Sequence, residues 1–553
     1  MQISPEDTLL DYFYYWEKQK PEETFLKQPV GDTYRDFTWV EAGDQVRRLA
    51  AFLKNTGLPP QSNIGLFSKN CAEWILTDLA IMMAGHVSVP FYPTLTGEQL
   101  NQVLTHSGCK YLFVGKLDSL EAVKTGVPAG VTCISFPGYN PEPTHLQYKD
   151  LLQSEPLQGD FRPGLDELVS IIYTSGTTGN PKGVMTRYRA FAEAIYKTRK
   201  STLIEEEGNR FFSYLPLSHI AERNIVEAAA LASGGTIYFA ESLETFAENL
   251  KRASPTHFLA VPRIWTKFQL GILSKMPQKK LNLFLRIPLL RSIVKAKIKK
   301  GLGLTDAKIM LTGAAPMPVS LLRWYRKIGI EIQEAYGMTE NLGAVCLMPA
   351  GIYRDGSVGR LHPGMQVKID GETGEILTKA VWNMAGYYRE PEMTAECIDK
   401  EGWLHTGDVG LLEEENFLQI TGRVKEMYKT SKGEYVVPSQ IEFAFSENEL
   451  IEQICVVGQS LPQPIALVNL SEIAMGLKLE QIKEQLRSAL ERINGRLKSY
   501  EKVRKMVVMK EGWTEANNCL TPTLKIKRGV IEKRFAGNFE NWYEAQEEIL
   551  WEA

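Results

Sequence analysis

The chain has 553 residues, 44% of them hydrophobic and 23% charged, enough for roughly three or four domain-sized units and ordinary for a packed fold, which excludes a disordered chain. Lysine plus arginine total 63 against 66 for aspartate plus glutamate, a net charge of -3, so nothing draws the molecule as a whole to nucleic acid or to an anionic bilayer, and any basic site must be local. Seven scattered cysteines with no C-x-x-C pair argue against a disulfide framework or a zinc cluster and point to the cytoplasm.

The first residues, Met1 to Asp11, carry three acids and no basic-then-apolar pattern, unlike a secretory signal. No apolar run approaches the ~20 residues of a membrane helix. From Ile64 the chain alternates short apolar runs with helical periodicity: Ile64 to Ser68, a helix from Ala72 to Ala84, Val87 to Phe91, a helix near Glu98 to His106, and Tyr111 to Val114. That rhythm predicts parallel βαβ units. It resumes at Leu168 to Tyr173, Phe211 to Leu215, Thr236 to Phe239, His257 to Val261 and Ile309 to Thr312, which predicts two doubly wound sheets. After Gly351, frequent glycines punctuate runs such as Gln366 to Ile369 and Glu375 to Thr378, the texture of a small β-rich subdomain. Beyond Gly422 a helix near Pro438 to Phe445, strands at Ile454 to Val457 and Ile465 to Leu470, and a long charged helix near Leu479 to Lys498 read as a separate α+β domain.

The chemistry begins at Tyr173-Thr174-Ser175-Gly176-Thr177-Thr178-Gly179-Asn180-Pro181-Lys182-Gly183, which follows an apolar strand and precedes a helical stretch. Glycine-freed backbone N–H groups, hydroxyls and Lys182 suit a polyphosphate cradle. It is no Walker loop, because Gly183 stands where a Ser or Thr would ligate magnesium.

With Tyr336-Gly337-Met338-Thr339-Glu340, Gly402-Trp403-Leu404-His405-Thr406-Gly407-Asp408 and Gly422-Arg423-Val424-Lys425 in order behind it, the chain resembles the adenylate-forming superfamily of acyl-CoA synthetases, luciferases and peptide-synthetase adenylation domains. The resemblance covers roughly Tyr34 to Phe535 and implies an α/β body over residues 1–422, followed by a mobile α+β domain over 423–553. It implies ATP, Mg2+ and coenzyme A as cofactors. Thr174, Ser175, Gly176, Thr177, Thr178, Gly179 and Lys182 would then hold phosphates, and Thr177 and Glu340 the metal, as hard oxygen donors. Gly313, Ala314, Ala315, Tyr336 and Gly337 would border adenine, and Asp408 with Arg423 the ribose.

The same resemblance names Lys525, Thr339, Glu340 and His219 as catalytic candidates, Lys425 as the hinge and Gly433 as the approach to the pantetheine tunnel. A mobile lysine serves as a point charge for the developing negative charge when a carboxylate attacks ATP. Around Lys525 the sequence reads Leu520-Thr521-Pro522-Thr523-Leu524 in place of the commoner Ser-Gly-Lys, similar to the long-chain acyl-CoA synthetases. Leu215-Pro216-Leu217-Ser218-His219-Ile220-Ala221-Glu222-Arg223 and Val261-Pro262-Arg263-Ile264-Trp265 resemble that subgroup too, with Trp265 a candidate pocket wall or gate. One departure is Thr186-Arg187-Tyr188-Arg189, where Thr-His-x-Asn is usual.

Between Lys279 and Lys300 lie eight Lys or Arg and no acid, interleaved with leucines and isoleucines. This is a candidate peripheral membrane contact. The implied reaction is activation of a medium- to long-chain fatty acid and its transfer to CoA. The alternatives are loading of an acyl carrier protein and activation of another acid, such as an aryl acid. No nucleic acid partner is expected.

Overall fold

A computed structural model describes residues 2–175, 181–445, 448–520 and 525–552. Among these residues the first sheet runs, edge to edge, through Gly386–Tyr387, Pro181–Arg187, Leu168–Ser175, Val87–Phe91, Asn63–Phe67, Tyr111–Val114, Thr132–Ser135 and Leu146–Gln147. From Leu168–Ser175 to Leu146–Gln147 neighbouring strands are parallel, as apolar runs alternating with crossover helices require. Val87–Phe91 is buried at every position, the condition of a strand covered on both faces.

The helix Ala72–Met83 is buried along its whole length, so its polar residues must find partners inside the protein. Asp78 pairs with the guanidinium of Arg223, which also reaches Glu227 at 3.1 Å and donates to Ser170 Oγ at 2.6 Å. Burial, reinforced by Asp78, holds the Glu227 carboxyl well above its ordinary range, which relieves the crowding of negative charge around one cation. Ser170 lies on the strand that enters the phosphate loop, and Arg223 opens a π-helical turn, Arg223–Ala228, just beyond His219. One core network therefore ties together two elements that carry candidate site residues.

The second sheet is parallel through Gln333–Tyr336, Ile309–Thr312, His257–Leu259, Arg210–Ser213, Thr236–Phe239 and Thr24–Val30. The small β-rich subdomain expected after Gly351 is built as a continuation of this sheet. Tyr336 pairs antiparallel with Cys346, and Cys346–Leu347, Ser357–Leu361, Phe417–Arg423, Leu404–Leu412, Glu375–Lys379 and Gln366–Ile369 extend the same sheet. At the opposite edge a hairpin, Thr24–Val30 with Thr33–Thr38, was not anticipated. Its mixed polar and apolar sequence gives no clean run or alternation.

A third sheet, Ile451–Val457, Ile465–Leu470, Lys505–Val508 and Ile549–Trp551, packs against helices Pro438–Phe445 and Leu479–Asn494. Ile482, Leu486, Leu490 and Ile493 form the buried stripe of the longer helix, the spacing that keeps one helical face on the core. That helix ends at Asn494, short of the expected Lys498. The 3-10 turn Val424–Glu426 and the hairpin Tyr428–Lys429 with Tyr435–Val436 join this domain to the body. Across the junction Arg263 pairs with Glu452 at 2.6 Å, and a cavity of about 180 Å³ separates Val319 from Phe443, Ala444, Arg492 and Arg496.

Candidate active site

The phosphate-loop segment does not lead straight from strand to helix. Leu168–Ser175 and Pro181–Arg187 are antiparallel partners, with Tyr173 opposite Gly183 and Thr174 opposite Lys182, and the helix Tyr188–Thr198 begins only after the second strand. Gly176, Thr177, Thr178 and Gly179 lie outside the described residues, and of Ser175 only the backbone is described. Gly183 is required by its neighbours. A Cβ there would stand 2.8 Å from Ile171 Cγ2, on the paired Leu168–Ser175 strand, and 3.3 Å from Tyr388 Cβ, just past the Gly386–Tyr387 strand on the other side.

That strand delivers a residue the sequence reading missed. The Tyr387 hydroxyl donates to Glu340 Oε1 at 2.8 Å, and the Lys182 ammonium lies over the Tyr387 ring, 5.0 Å from its centroid. Glu340 is held in the short turn Thr339–Asn341. The Met338 N–H donates to Asn341 Oδ1 at 2.7 Å and the Met384 N–H to the Glu340 carbonyl at 2.7 Å. Burial raises the Glu340 carboxyl, while Tyr387, Lys182 and Arg423 pull it back toward the charged form. Thr339 is buried beside it.

Among the described residues no group of three or more His, Cys, Asp or Glu could cage a metal ion. Glu340 is a single, largely desolvated oxygen donor. That chemistry fits magnesium, which typically takes one or two carboxylates and completes its octahedral shell from phosphates and water.

On the other side Asp408 is buried, with both oxygens engaged. Tyr336 donates its hydroxyl to Oδ2 at 2.6 Å, and Arg423 Nε reaches Oδ1 at 2.9 Å. Asp408 and Arg423 face each other across adjacent strands, so sheet register sets their pairing. Tyr336 is thus anchored by its hydroxyl. Gly337 admits no side chain, since a Cβ would fall 2.2 Å from the Gly343 carbonyl carbon. The Gly313-Ala314-Ala315 segment follows the strand Ile309–Thr312, and a Cβ on Gly313 would stand 3.0 Å from the Ala335 carbonyl. Ala314 has φ 65°, a left-handed conformation costing an alanine roughly 1–2 kcal/mol, and both alanines are exposed. A bent, small-residue edge therefore lies open beside Tyr336.

His219 caps the turn Ile220–Glu222, its Nδ1 accepting from the Ala221 N–H at 3.2 Å. Burial, with Lys525 adding, pulls its pKa down to about 4, so the ring is neutral near pH 7. Beneath it Glu222 Oε1 accepts from the Tyr214 N–H at 2.9 Å, and burial pushes the carboxyl up to about 8. Asn70 braces the same loop, accepting from the Leu217 N–H at 3.1 Å and donating to the Leu215 carbonyl at 2.6 Å. Trp265 is core. It is 0% exposed, donates to the Ala260 carbonyl at 3.1 Å and packs on Phe258, Phe268 and Tyr325 in this conformation.

Lys525 comes from the C-terminal domain and lies within electrostatic reach of His219, Arg423, Asp408 and Glu340. Its surface is exposed, although protein surrounds the position densely enough that desolvation is the largest cause lowering its pKa; Arg423 adds, and Asp408 and Glu340 oppose. The accessible surface matters more for a group that must meet a substrate.

Residues 13–388 match the AMP-binding enzyme family and residues 426–547 the AMP-binding enzyme C-terminal domain. The chain belongs to the AMP-binding enzyme family. It is 29% identical to long-chain-fatty-acid–CoA ligase 5 of Mus musculus, over 93% of this chain and 85% of that one. The adenylation domain of a carboxylate reductase from Mycobacterium chelonae has the same fold, with a TM-score of 0.80 at 23% identity over 98% of this chain and 92% of that one. A benzoate CoA ligase from Burkholderia xenovorans gives 0.76 at 21% identity over 95% and 99%.

In this adenylate-forming enzyme Tyr336, Asp408 and Arg423 are joined by direct bonds, Glu340 and Lys182 meet on Tyr387, and Lys525 lies within electrostatic reach of His219, Asp408, Arg423 and Glu340. Gly433 does not join them by any contact described here. It takes φ 83° at the exposed tip, residues 431–435, of the hairpin formed by Tyr428–Lys429 and Tyr435–Val436, its N–H donating to the Thr430 carbonyl at 2.9 Å. Lys425 is exposed in the 3-10 turn between the domains. Tyr387 carried no sequence signal of its own, because Glu340 and Lys182 are both distant from it along the chain.

Proposed function

We propose that this enzyme activates a medium- to long-chain fatty acid with ATP and passes the acyl group to coenzyme A. In the first step a carboxylate oxygen bonds to the α-phosphorus as the bond to the β-phosphate breaks, giving acyl-AMP and pyrophosphate. In the second, the CoA thiol loses its proton, its sulfur bonds to the acyl carbon, and AMP leaves.

What supports this reading is the cluster of Tyr336, Asp408 and Arg423 beside Glu340, Tyr387 and Lys182, with Lys525 of the C-terminal domain within electrostatic reach of it. Lys525 would offset charge building on the α-phosphate and the attacking carboxylate. Lys182 and the Thr174–Gly179 loop would bind the phosphates. Asp408 retains lone pairs for ribose hydroxyls beyond those taken by Tyr336 and Arg423, while Tyr336 and Gly313–Ala315 would flank adenine. Bound magnesium, held by Glu340 and Thr177, would neutralise phosphate charge. Lys425 would be the pivot and Gly433 would approach CoA after the swing.

A neutral His219 is a wall suited to an apolar acyl chain. The Leu215–Arg223 motif and the identity to a long-chain ligase support that class of acid. A cytoplasmic enzyme taking such acids would meet them at a bilayer, and helices Gln278–Arg286 and Pro288–Leu302 offer the contact. Leu283, Leu289 and Ile293 are 55%, 74% and 54% exposed in a stretch with eight basic residues and no acid. Basic residues flanking exposed apolar ones favour the surface of anionic lipid. Leu289→Glu with Ile293→Glu should abolish sedimentation with phosphatidylglycerol vesicles; unchanged sedimentation would sink the membrane contact.

The second reading, an aryl acid or an acyl carrier protein acceptor, draws on fold neighbours that include a benzoate ligase and a reductase adenylation domain. Pyrophosphate release across a panel of acids, with and without CoA, decides between them. Long straight-chain acids should give the fastest release and CoA should yield thioester. Preference for benzoate, or no thioester from CoA, would overturn the proposal.

A further inference from the structure

Tyr387 is the side chain in the cleft whose two ends meet opposite charges. Its hydroxyl donates to Glu340 Oε1 at 2.8 Å and its ring face carries the Lys182 ammonium at 5.0 Å. An ammonium over an aromatic face is attracted by the ring quadrupole without being neutralised, and a hydroxyl bonded to a carboxylate oxygen fixes the plane of that carboxylate while leaving it further lone pairs. One ring thus holds a cation and an anion close together while leaving each with charge to offer a ligand.

The ring is firmly seated. Tyr387 is 5% exposed, its strand pairs with Val184 and Met185, and its N–H donates to Thr394 Oγ1 at 2.9 Å. The preceding Gly386 has φ 137° and would set a Cβ 2.8 Å from Thr394 Cγ2. Cys397 Sγ lies 3.7 Å from the same hydroxyl. Strand pairing, a glycine and a helix all fix one rotamer, the support expected beneath groups that must be held in place.

We propose that Tyr387 is a positioning residue for the triphosphate end of the nucleotide site, its hydroxyl orienting Glu340 toward a divalent cation and its ring presenting Lys182 to phosphate. This rests on the nucleotide reading of the cleft given above. Two substitutions separate the two jobs. Tyr387→Phe keeps the ring and removes the hydroxyl; Tyr387→Leu removes both.

The test is calorimetric binding of ATP in the absence of any acid, in EDTA and across a magnesium chloride series, with AMP as control and thermal unfolding as a check on the fold. Tyr387→Phe should bind ATP in EDTA as the wild type does but need about tenfold more magnesium for half of the metal-dependent gain, the scale of one lost hydrogen bond to a charged group. Tyr387→Leu should also lose about threefold in EDTA, the scale of a partly exposed cation–π contact. AMP, which lacks the β- and γ-phosphates, should bind all three proteins equally. An unchanged magnesium dependence in Tyr387→Phe would overturn the proposal, as would a parallel loss of AMP binding, the mark of a general packing role. If Tyr387→Leu does not fold, Tyr387→Phe alone still decides the claim about Glu340. A folded wild type that binds AMP but gains nothing from magnesium with ATP would overturn the proposal while leaving the nucleotide site standing. Binding of neither nucleotide would overturn both.

Discussion

On the body's side of the cleft the charged groups are tied to one another. Asp408 is fixed by Tyr336 and Arg423, Glu340 by Tyr387, and Lys182 by the Tyr387 ring. Lys525 reaches the same cleft on a separate four-stranded domain. Among the contacts between that domain and the body are a half-exposed ion pair, Arg263 with Glu452, and the walls of a pocket lined by Val319 and Phe443. Exposed ion pairs contribute little. The contrast is one of anchoring: on the body's side hydrogen bonds and sheet register fix each group, while Lys525 is brought to the cleft by a separately folded domain.

The largest expected effect tests the delivered side. Lys525→Ala should slow acyl-AMP formation by about 10²–10³-fold, the scale of removing one preorganised charge-stabilising donor, with ATP binding nearly unchanged because the body holds the nucleotide. A loss of ATP affinity as large as the loss of rate would erase the contrast.

A smaller effect sharpens the fixed side. Glu222, buried under the His219 loop, has its pKa pushed up to about 8, against about 4.3 for an ordinary glutamate. Between those values the folded chain binds more protons than the unfolded one, so stability falls as pH rises from about 5 to about 8. His219, pulled down to about 4, works in the opposite direction: between about 6.5 and 4 the unfolded chain binds the extra proton, and stability falls as pH drops. Glu222→Gln should therefore flatten only the alkaline arm of a midpoint-against-pH curve, by up to about 1.4 kcal/mol per pH unit across that window. An unchanged alkaline arm would mean that Glu222 is not held neutral in the fold.

Much of this architecture was legible in the sequence. Val87–Phe91, Tyr111–Val114, Thr236–Phe239 and Ile309–Thr312 fall where expected, because short apolar runs bounded by turn residues leave little choice. Pro181–Arg187 was hidden, since its proline, glycine and basic residues read as loop until pairing with Leu168–Ser175 makes a strand of them. The glycine-rich stretch after Gly351 was read as β-structure, but its continuity with the second sheet depends on the Tyr336–Cys346 pairing, a tertiary fact. The family resemblance singled out Lys182, Glu340, Asp408, Arg423 and Lys525. It could not identify Tyr387 or Asn70, whose significance comes entirely from partners remote in the chain, Glu340 for one and the Leu215–Leu217 loop for the other. Trp265, which its motif offers as a pocket wall or gate, is held by its indole N–H and aromatic neighbours, contacts that the sequence does not specify.

The central claim is that the two sides of the cleft serve separable steps, with Lys525 needed for adenylation alone. The direct measurement follows both half-reactions in folded Lys525→Ala: pyrophosphate release from ATP and a long-chain acid, and thioester formation from synthetic acyl-AMP and CoA. The account predicts that the first collapses while the second stays within about a few-fold of wild type. Equal loss of both would contradict it.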